Sequence, residues 1–143
     1  ANVCFGDKGQ EPDFENKKGT IIPYDSVKLT NTIRNNLHKY IGDKAKNLEC
    51  EGNYYFDKSK CGIGFHGDAE RVKVAAIRVG SLLLKFSWFY NCKPIGKPIS
   101  FDLEDGDFYI MSEKTTGTDW KCRSIVTLRH AAGCEKYTKL NYN

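Results

Sequence analysis

The first regular pattern in the chain is a row of apolar residues spaced four apart. The row consists of Leu29, Ile33, Leu37 and Ile41. Such spacing places the four side chains on one stripe of an α-helix. Asp25-Ser26 precedes the row and predicts a helix N-cap, and Gly42 predicts the helix end. The sequence therefore predicts one helix over about residues 25–42, with His38 on it but outside the apolar stripe.

After residue 50 the pattern changes to short runs that are rich in β-branched and aromatic residues and are separated by turn residues. Such runs are typical of β-strands. We predict strands at 54–56, 63–66, 72–79, 81–90, 98–103, 108–111, 124–128 and 137–142. The Asp105-Gly106 pair also predicts a hairpin turn. The chain should thus be mainly β (α+β), a β-sandwich or jelly roll with the single helix packed outside.

Length and composition are those of an ordinary globular chain. The 143 residues fit one domain, and the hydrophobic fraction of 40% argues against wholesale disorder. Residues 1–19 are polar and predict an irregular N-terminal leader, which leaves 20–143 as the β domain. No apolar run is long enough for a membrane span and no signal peptide is visible, so an intracellular location is favoured.

Net charge and cysteine content exclude few classes of function. The net charge of +4 indicates only a weak preference for anionic partners. The six cysteines contain no C-x-x-C pair, which disfavours a zinc knuckle, and their density is below that of a disulfide scaffold. We predict reduced thiols.

The pattern with the clearest chemical meaning is His66-Gly67-Asp68. Two residues apart on a strand, the imidazole and the carboxylate point to the same face. A second histidine would complete a two-histidine, one-carboxylate set, which suits non-haem Fe(II). Of the two other histidines, His38 lies in the predicted helix, which leaves His130 at the end of a predicted strand. The alternatives are an exposed Asp in a turn and a histidine at the rim of the sheet.

Taken in order, the motifs between about Asn53 and Lys139 resemble those of the 2-oxoglutarate- and Fe(II)-dependent oxygenases, nearest to the AlkB-like branch. The first motif is N-Y-Y at 53–55 followed by I-G-F-H-G-D-A-E at 63–70. G-D at 106–107 and R-x5-R at 123–129 resemble later family motifs. Features near the C-terminus resemble the prolyl-hydroxylase-like members.

This resemblance implies a double-stranded β-helix that binds Fe(II) through H-x-D and a distal histidine. It also implies 2-oxoglutarate as co-substrate, with a basic residue pairing its far carboxylate. Either Tyr54 or Tyr55 would hydrogen-bond the co-substrate, and we take Tyr55 as the candidate. The implied activity is oxidative hydroxylation or demethylation, with nucleic-acid bases as one substrate class.

The resemblance leaves two arrangements open near the C-terminus. In the first, Arg123 and Arg129 bind 2-oxoglutarate and the distal metal ligand is lost. In the second, which we favour, His130 is the distal ligand and Lys139 binds the co-substrate, with Lys136 as an alternative. The predicted metal ligands are then His66, Asp68 and His130.

Two other functions stay open at this point. One is a protein or small-molecule hydroxylase on the same fold. The other is a catalytically inactive jelly roll that serves as a structural subunit of a larger assembly, because fold does not imply function.

Overall fold

The computed structural model describes residues 1–46 and 48–142, so Asn47 and Asn143 lie outside the described part of the chain. The strands are β1 (Asn2–Gly6), β2 (Ile21–Pro23), β3 (Cys50–Asn53), β4 (Gly62–His66), β5 (Val74–Ile77), β6 (Leu82–Tyr90), β7 (Lys93–Leu103), β8 (Phe108–Met111) and β9 (Thr127–Gly133). The α-helices are α1 (Lys28–Asn36), α2 (His38–Ile41), α3 (Glu113–Thr116) and α4 (Glu135–Thr138). The prediction of a mainly β chain is confirmed. Among the described residues, no helix has the length and apolar character needed to cross a membrane.

The chain forms two compact units, Ala1–Tyr54 and Tyr55–Asn143. The first unit contains a sheet with the order β2-β1-β3, in which β1 runs parallel to β2 and antiparallel to β3. The sequence predicts an irregular leader over residues 1–19, but Asn2–Gly6 is a strand. Its main chain is held on both sides, since Cys4 pairs with Ile21 and with Glu51.

One aromatic residue anchors the first unit. Tyr24 is buried and stacks on Phe5, with ring centroids 6.5 Å apart. The guanidinium of Arg34 lies 4.0 Å from the Tyr24 ring centroid and forms an ion pair with Asp7 at 2.7 Å. This cation–π contact and ion pair connect α1 to the loop that follows β1.

The single helix predicted over 25–42 is instead divided into α1 and α2. The break is confined to Leu37, which keeps right-handed helical dihedral angles but donates its N–H to the Arg34 carbonyl, three residues back, at 3.3 Å. The predicted N-cap is also wrong: Ser26 Oγ donates to the Pro23 carbonyl, and no side chain in the described part of the chain caps α1. The apolar stripe is not buried as a whole, because Leu29 remains 81% exposed.

The second unit carries two antiparallel groups of strands. One is a four-stranded sheet in the order β4-β9-β6-β7, and the other is the pair β5-β8. The pairings are nested along the chain: β6 pairs with β7, β5 with β8, and β4 with β9. These strands therefore form one long antiparallel ribbon, whose successive segments alternate between the two groups.

The tip of this ribbon is a two-residue turn at Asn91-Cys92, closed by the pairing of Tyr90 with Lys93. Both turn residues have positive φ, +46° and +62°, as a type I′ hairpin turn requires. The Asp105-Gly106 turn forms as well, but it joins β7 to β8, which do not pair with each other. The hairpin predicted there is therefore wrong.

Two predicted strands at the edges of the second unit are absent. Residues 54–56 are not a strand, since β3 ends at Asn53. The segment 137–142 contains the end of α4 and no strand. Gly133 has φ +107°, which ends β9, and Thr138 Oγ1 donates to the Cys134 carbonyl within the helical turn.

Candidate metal site

Strand β4 positions His66 and fixes the orientation of its ring. The Nδ1 atom lies 2.8 Å from the carbonyl oxygen of Gly64, an acceptor that requires Nδ1 to carry the proton. The Nε2 atom then presents its lone pair. A histidine that ligates a metal through one nitrogen commonly donates from the other to a carbonyl or carboxylate, and this contact provides that support.

Strand β9 brings His130 directly opposite His66. The two residues are Cα partners in the antiparallel register, and their ring centroids are 4.4 Å apart. His130 is 7% exposed, and the ring of Phe86 lies 5.9 Å from its own, which shields this side from water. The second histidine is thus held within β9 and does not lie at the rim of the sheet.

Asp68 reaches the same place from a loop, because β4 ends at His66, where the predicted strand 63–66 also ends. The backbone N–H of Asp68 donates to the Thr116 carbonyl at 2.8 Å. Gly67 makes this approach feasible: a Cβ there would lie 2.2 Å from the carbonyl oxygen of Gly117. The loop after α3 therefore packs directly on the turn that carries the carboxylate.

The three side chains converge on one point. Asp68 Oδ1 is 3.6 Å from His66 Nε2, and Oδ2 is 3.7 Å from His130 Nε2. All three ligand atoms lie within 4.8 Å of one another. Two ligands of one ion at about 2.0–2.2 Å each are at most about 4.4 Å apart, and both carboxylate–imidazole distances satisfy this limit. The donor set fits a divalent transition metal.

The electrostatics of the site favour neutral imidazole at His130. Burial lowers the pKa of His130 to about 4, and the neighbouring His66 acts in the same direction against the pull of Asp68. A metal ligand must have a free lone pair, so a histidine that is neutral at pH 7 is prepared for binding. Arg71 Nη1 lies 3.8 Å from Asp68 Oδ2 and places a positive charge beside the carboxylate.

The structure does not bring the predicted 2-oxoglutarate residues of β9 and the C-terminus to this site. Arg129 precedes His130 on β9 and so points to the opposite face of the sheet. Its guanidinium lies 4.4 Å from the ring centroid of Phe89 and 5.3 Å from that of Trp120. Arg123 lies at the tip of the ribbon, where its carbonyl accepts from Asn91 N–H.

Lys139 also lies away from the metal ligands. It directly follows α4. The carbonyl oxygen of Thr138 accepts a hydrogen bond at 3.2 Å from the Lys85 ammonium. Lys85 pairs with Ala131, so its side chain lies on the same face of the sheet as Arg129. The alternative, Lys136, lies within α4, with its ammonium 5.6 Å from the ring of Tyr137. The final strand that this arrangement needs is absent from the described residues.

Tyr55, the remaining predicted co-substrate residue, lies beside Arg78, which the sequence did not single out. The Arg78 guanidinium lies 6.0 Å from the Tyr55 ring centroid. Burial raises the pKa of Tyr109, and Arg78, Tyr55 and Asp68 all act on its hydroxyl electrostatically. The Nε atom of Arg78 is buried without a hydrogen-bond partner in the described residues. Arg78 lies near the end of the predicted strand 72–79, before a turn. Nothing in the sequence around it indicates that its guanidinium is partly buried.

Comparison with known proteins adds a relative but no established function. The chain is 45% identical over 139 residues to an uncharacterized protein of Acanthamoeba polyphaga mimivirus, an alignment that covers 96% of this chain and 54% of the viral protein. The chain thus spans about half the length of the curated relative that it matches. No protein-family model matches the chain. No solved structure matches it either.

Proposed function

We propose that the chain is the catalytic portion of an Fe(II)- and 2-oxoglutarate-dependent dioxygenase that hydroxylates or demethylates its substrate. The observation that carries the proposal is the convergence of His66, Asp68 and His130. These residues come from a strand, a loop and a distant strand, and two of them are largely buried. Two imidazoles and one carboxylate on one side of an ion leave its remaining positions open for co-substrate and oxygen.

The order of the strands supports a double-stranded β-helix. In such a fold a long two-stranded ribbon is wound so that successive segments lie in alternate sheets. The nested pairings of β6 with β7, β5 with β8 and β4 with β9 follow this rule, and β6 pairs with β9 where two turns of the ribbon meet. The metal ligands would lie on and beside the part of the ribbon in which β4 pairs with β9.

A different feature of the structure prepares each ligand for metal binding in this proposal. The Gly64 carbonyl holds the tautomer of His66, the Thr116 carbonyl holds the main chain of Asp68, and burial keeps His130 neutral. Fe(II) held by these three residues would activate oxygen, with 2-oxoglutarate as co-substrate, for the oxidation of a substrate C–H bond. The protein contributes orientation and the exclusion of water.

For 2-oxoglutarate we propose Arg78 and Tyr55 in place of Lys139, Arg123 and Arg129. The far carboxylate of the co-substrate needs a cation that is partly removed from water, because an exposed pair contributes little. Arg78 has a buried Nε without a partner in the described residues, and it acts with Asp68 on the same Tyr109 hydroxyl. The three earlier candidates lie on the other face or at the tip of the sheet.

The proposal does not choose between nucleic-acid bases and peptides or small molecules as substrate. A base-directed enzyme has to hold its target out of the stack between aromatic or apolar groups. The His130 face of the sheet carries such groups next to the ligands, including Phe86 and Phe101, whose rings meet edge to face at 6.1 Å. An apolar face of this kind would serve either substrate class, so a substrate screen should include alkylated nucleosides and peptides.

The decisive test is an anaerobic titration with Fe(II) and 2-oxoglutarate, in which the visible charge-transfer band of the chelate is measured. We expect a saturable band for the wild-type chain, loss of the band in His130→Ala, and a normal band in His38→Ala. His38 is a matched control, because it lies on α2 and is exposed. A folded wild-type chain without the band contradicts the proposal and favours a metal-free jelly roll that serves as a structural subunit.

A further inference from the structure

The tip of the ribbon holds a second group of side chains that the metal site does not use. It consists of Cys92 in the turn, Arg129 on β9 and Arg123 in the preceding loop. Cys92 is a free and exposed thiol in the turn Asn91-Cys92. The positive φ of this residue and the closing pair that follows hold its backbone in one conformation.

Arg129 is an unusual cation because it is buried without a matching anion among the described residues. It is 7% exposed, and neither Nε nor Nη2 has a hydrogen-bond partner in the described part of the chain. Buried charges are normally paired, since removal from water is costly. The contacts of its guanidinium with Phe89 and Trp120 supply cation–π attraction but no neutralising charge.

The side chain of Arg129 is directed toward the turn. Arg129 pairs with Ser87 on β6, but its guanidinium lies over Phe89, two residues nearer to the tip. Arg129 also lowers the pKa of the Cys92 thiol, with a smaller contribution from Arg123. The backbone of Arg123 is held at the same turn, where its carbonyl accepts from Asn91 N–H at 3.2 Å.

We propose that Cys92 is a covalent modification site that undergoes thiol–disulfide exchange with low-molecular-weight disulfides bearing carboxylates, which Arg123 and Arg129 attract. The Cys92 thiolate attacks one sulfur of the disulfide, forms a new sulfur–sulfur bond, and displaces the other sulfur as a thiolate, which then takes up a proton. Cys92 is oxidised and the departing half of the reagent is reduced. The inference is independent of the metal site.

The other cysteines provide an internal comparison. Cys4 is exposed as well, but it lies on β1 in the first unit, where it pairs with Ile21 and Glu51. A cysteine beside arginine reacts faster near neutral pH, because its lowered pKa increases the fraction present as thiolate. Cys92 should therefore be modified before Cys4 in the same molecule.

The test is to incubate the full chain with oxidised glutathione, which is anionic, or with cystamine, which is cationic, and to locate adducts by peptide mass spectrometry. We expect Cys92 to be modified about tenfold faster than Cys4 with the anionic reagent. The Cys92→Ser variant should lose this fast phase. Arg123→Gln should slow the reaction with oxidised glutathione more than the reaction with cystamine. Arg123 is exposed, so this substitution is tolerable for folding.

Lys39→Gln is the matched control, since it removes one exposed positive charge from the first unit. It should leave the rate at Cys92 unchanged. Two results would overturn the proposal: reaction of Cys92 no faster than that of Cys4, or an Arg123→Gln variant with the same preference between the two reagents as the wild type. Neither result depends on whether the chain binds iron.

Discussion

His66 and His130 are direct cross-strand partners, with ring centroids 4.4 Å apart and ring planes inclined at 55°. The register of β4 on β9 therefore sets the spacing between two candidate metal ligands before any metal is bound. Asp68 completes the set, with one carboxylate oxygen facing each ring. A preformed site of this kind reduces the ordering that binding would otherwise require.

The Asp68→Asn variant should bind a divalent metal at least about a hundredfold more weakly than the wild type, while the fold is retained. The amide has the shape of the carboxylate but lacks its charge, and both oxygens of Asp68 face an imidazole. The measurement is a Co(II) titration followed by visible absorption, with circular dichroism as a check on folding. Asp102→Asn, an exposed carboxylate on β7, should bind as the wild type does. Equal affinities for the wild type and Asp68→Asn would exclude Asp68 as a ligand.

Gly67→Ala should be strongly destabilising, whereas Gly64→Ala should be mild. A Cβ at Gly67 would lie 2.2 Å from the Gly117 oxygen and 2.7 Å from Trp120 Cβ, so the turn carrying Asp68 would have to move. A Cβ at Gly64 would lie 4.0 Å from the carbonyl oxygen of Tyr137, which is an ordinary contact. We expect a loss of about 3 kcal/mol in the free energy of unfolding for Gly67→Ala, against less than about 1 kcal/mol for Gly64→Ala. Urea denaturation of both variants measures this difference, and equal losses would contradict the packing described for this turn.

The sequence was most informative where side-chain pattern and local structure agree. The strand predicted at 108–111 has the observed bounds, and those at 63–66 and 81–90 are correct within one residue at each end. The three metal candidates are brought together as well. Few histidines had to be considered as metal ligands, since the chain has only three.

What the sequence could not predict depends on long-range pairing and on backbone geometry. Asp105-Gly106 has the residues of a hairpin turn, and the turn exists, but its flanking strands pair elsewhere. Asn91-Cys92 forms the real two-residue hairpin, although cysteine is not a usual residue at positive φ. The face of the sheet reached by Arg129 or Arg78 depends on register, which local pattern does not determine.

Arg78→Gln should weaken 2-oxoglutarate binding about ten- to a hundredfold without a comparable change in metal affinity. The reason is the loss of a charge-assisted contact from a guanidinium whose Nε is buried without a partner in the described residues. Lys139→Gln is the matched control and should bind 2-oxoglutarate normally. The measurement is anaerobic titration of the metal-loaded variants with 2-oxoglutarate. The opposite outcome, with Lys139→Gln impaired and Arg78→Gln normal, would restore the assignment predicted from sequence.

The free energy of unfolding of the metal-free chain should fall between pH 6.5 and pH 4 because of His130. Its pKa is lowered from 6.5 to about 4 in the folded chain, so the unfolded chain binds more protons across this window. Stability therefore rises with pH between these limits, and the contribution of His130 levels off above the unfolded pKa. The full effect of this one residue is about 3 kcal/mol.

Urea denaturation at pH 4.5 and pH 7.5 in the presence of a chelator measures this contribution. Each protein is compared with itself at the two pH values, so the packing lost in a variant does not enter the difference. The wild type should lose about 2–3 kcal/mol more than His130→Gln on acidification, since glutamine does not titrate. His38→Ala should follow the wild type. If His130→Gln loses as much stability as the wild type, His130 is protonated as readily in the folded chain as in the unfolded one. That result would contradict the conclusion that burial keeps His130 neutral for metal binding.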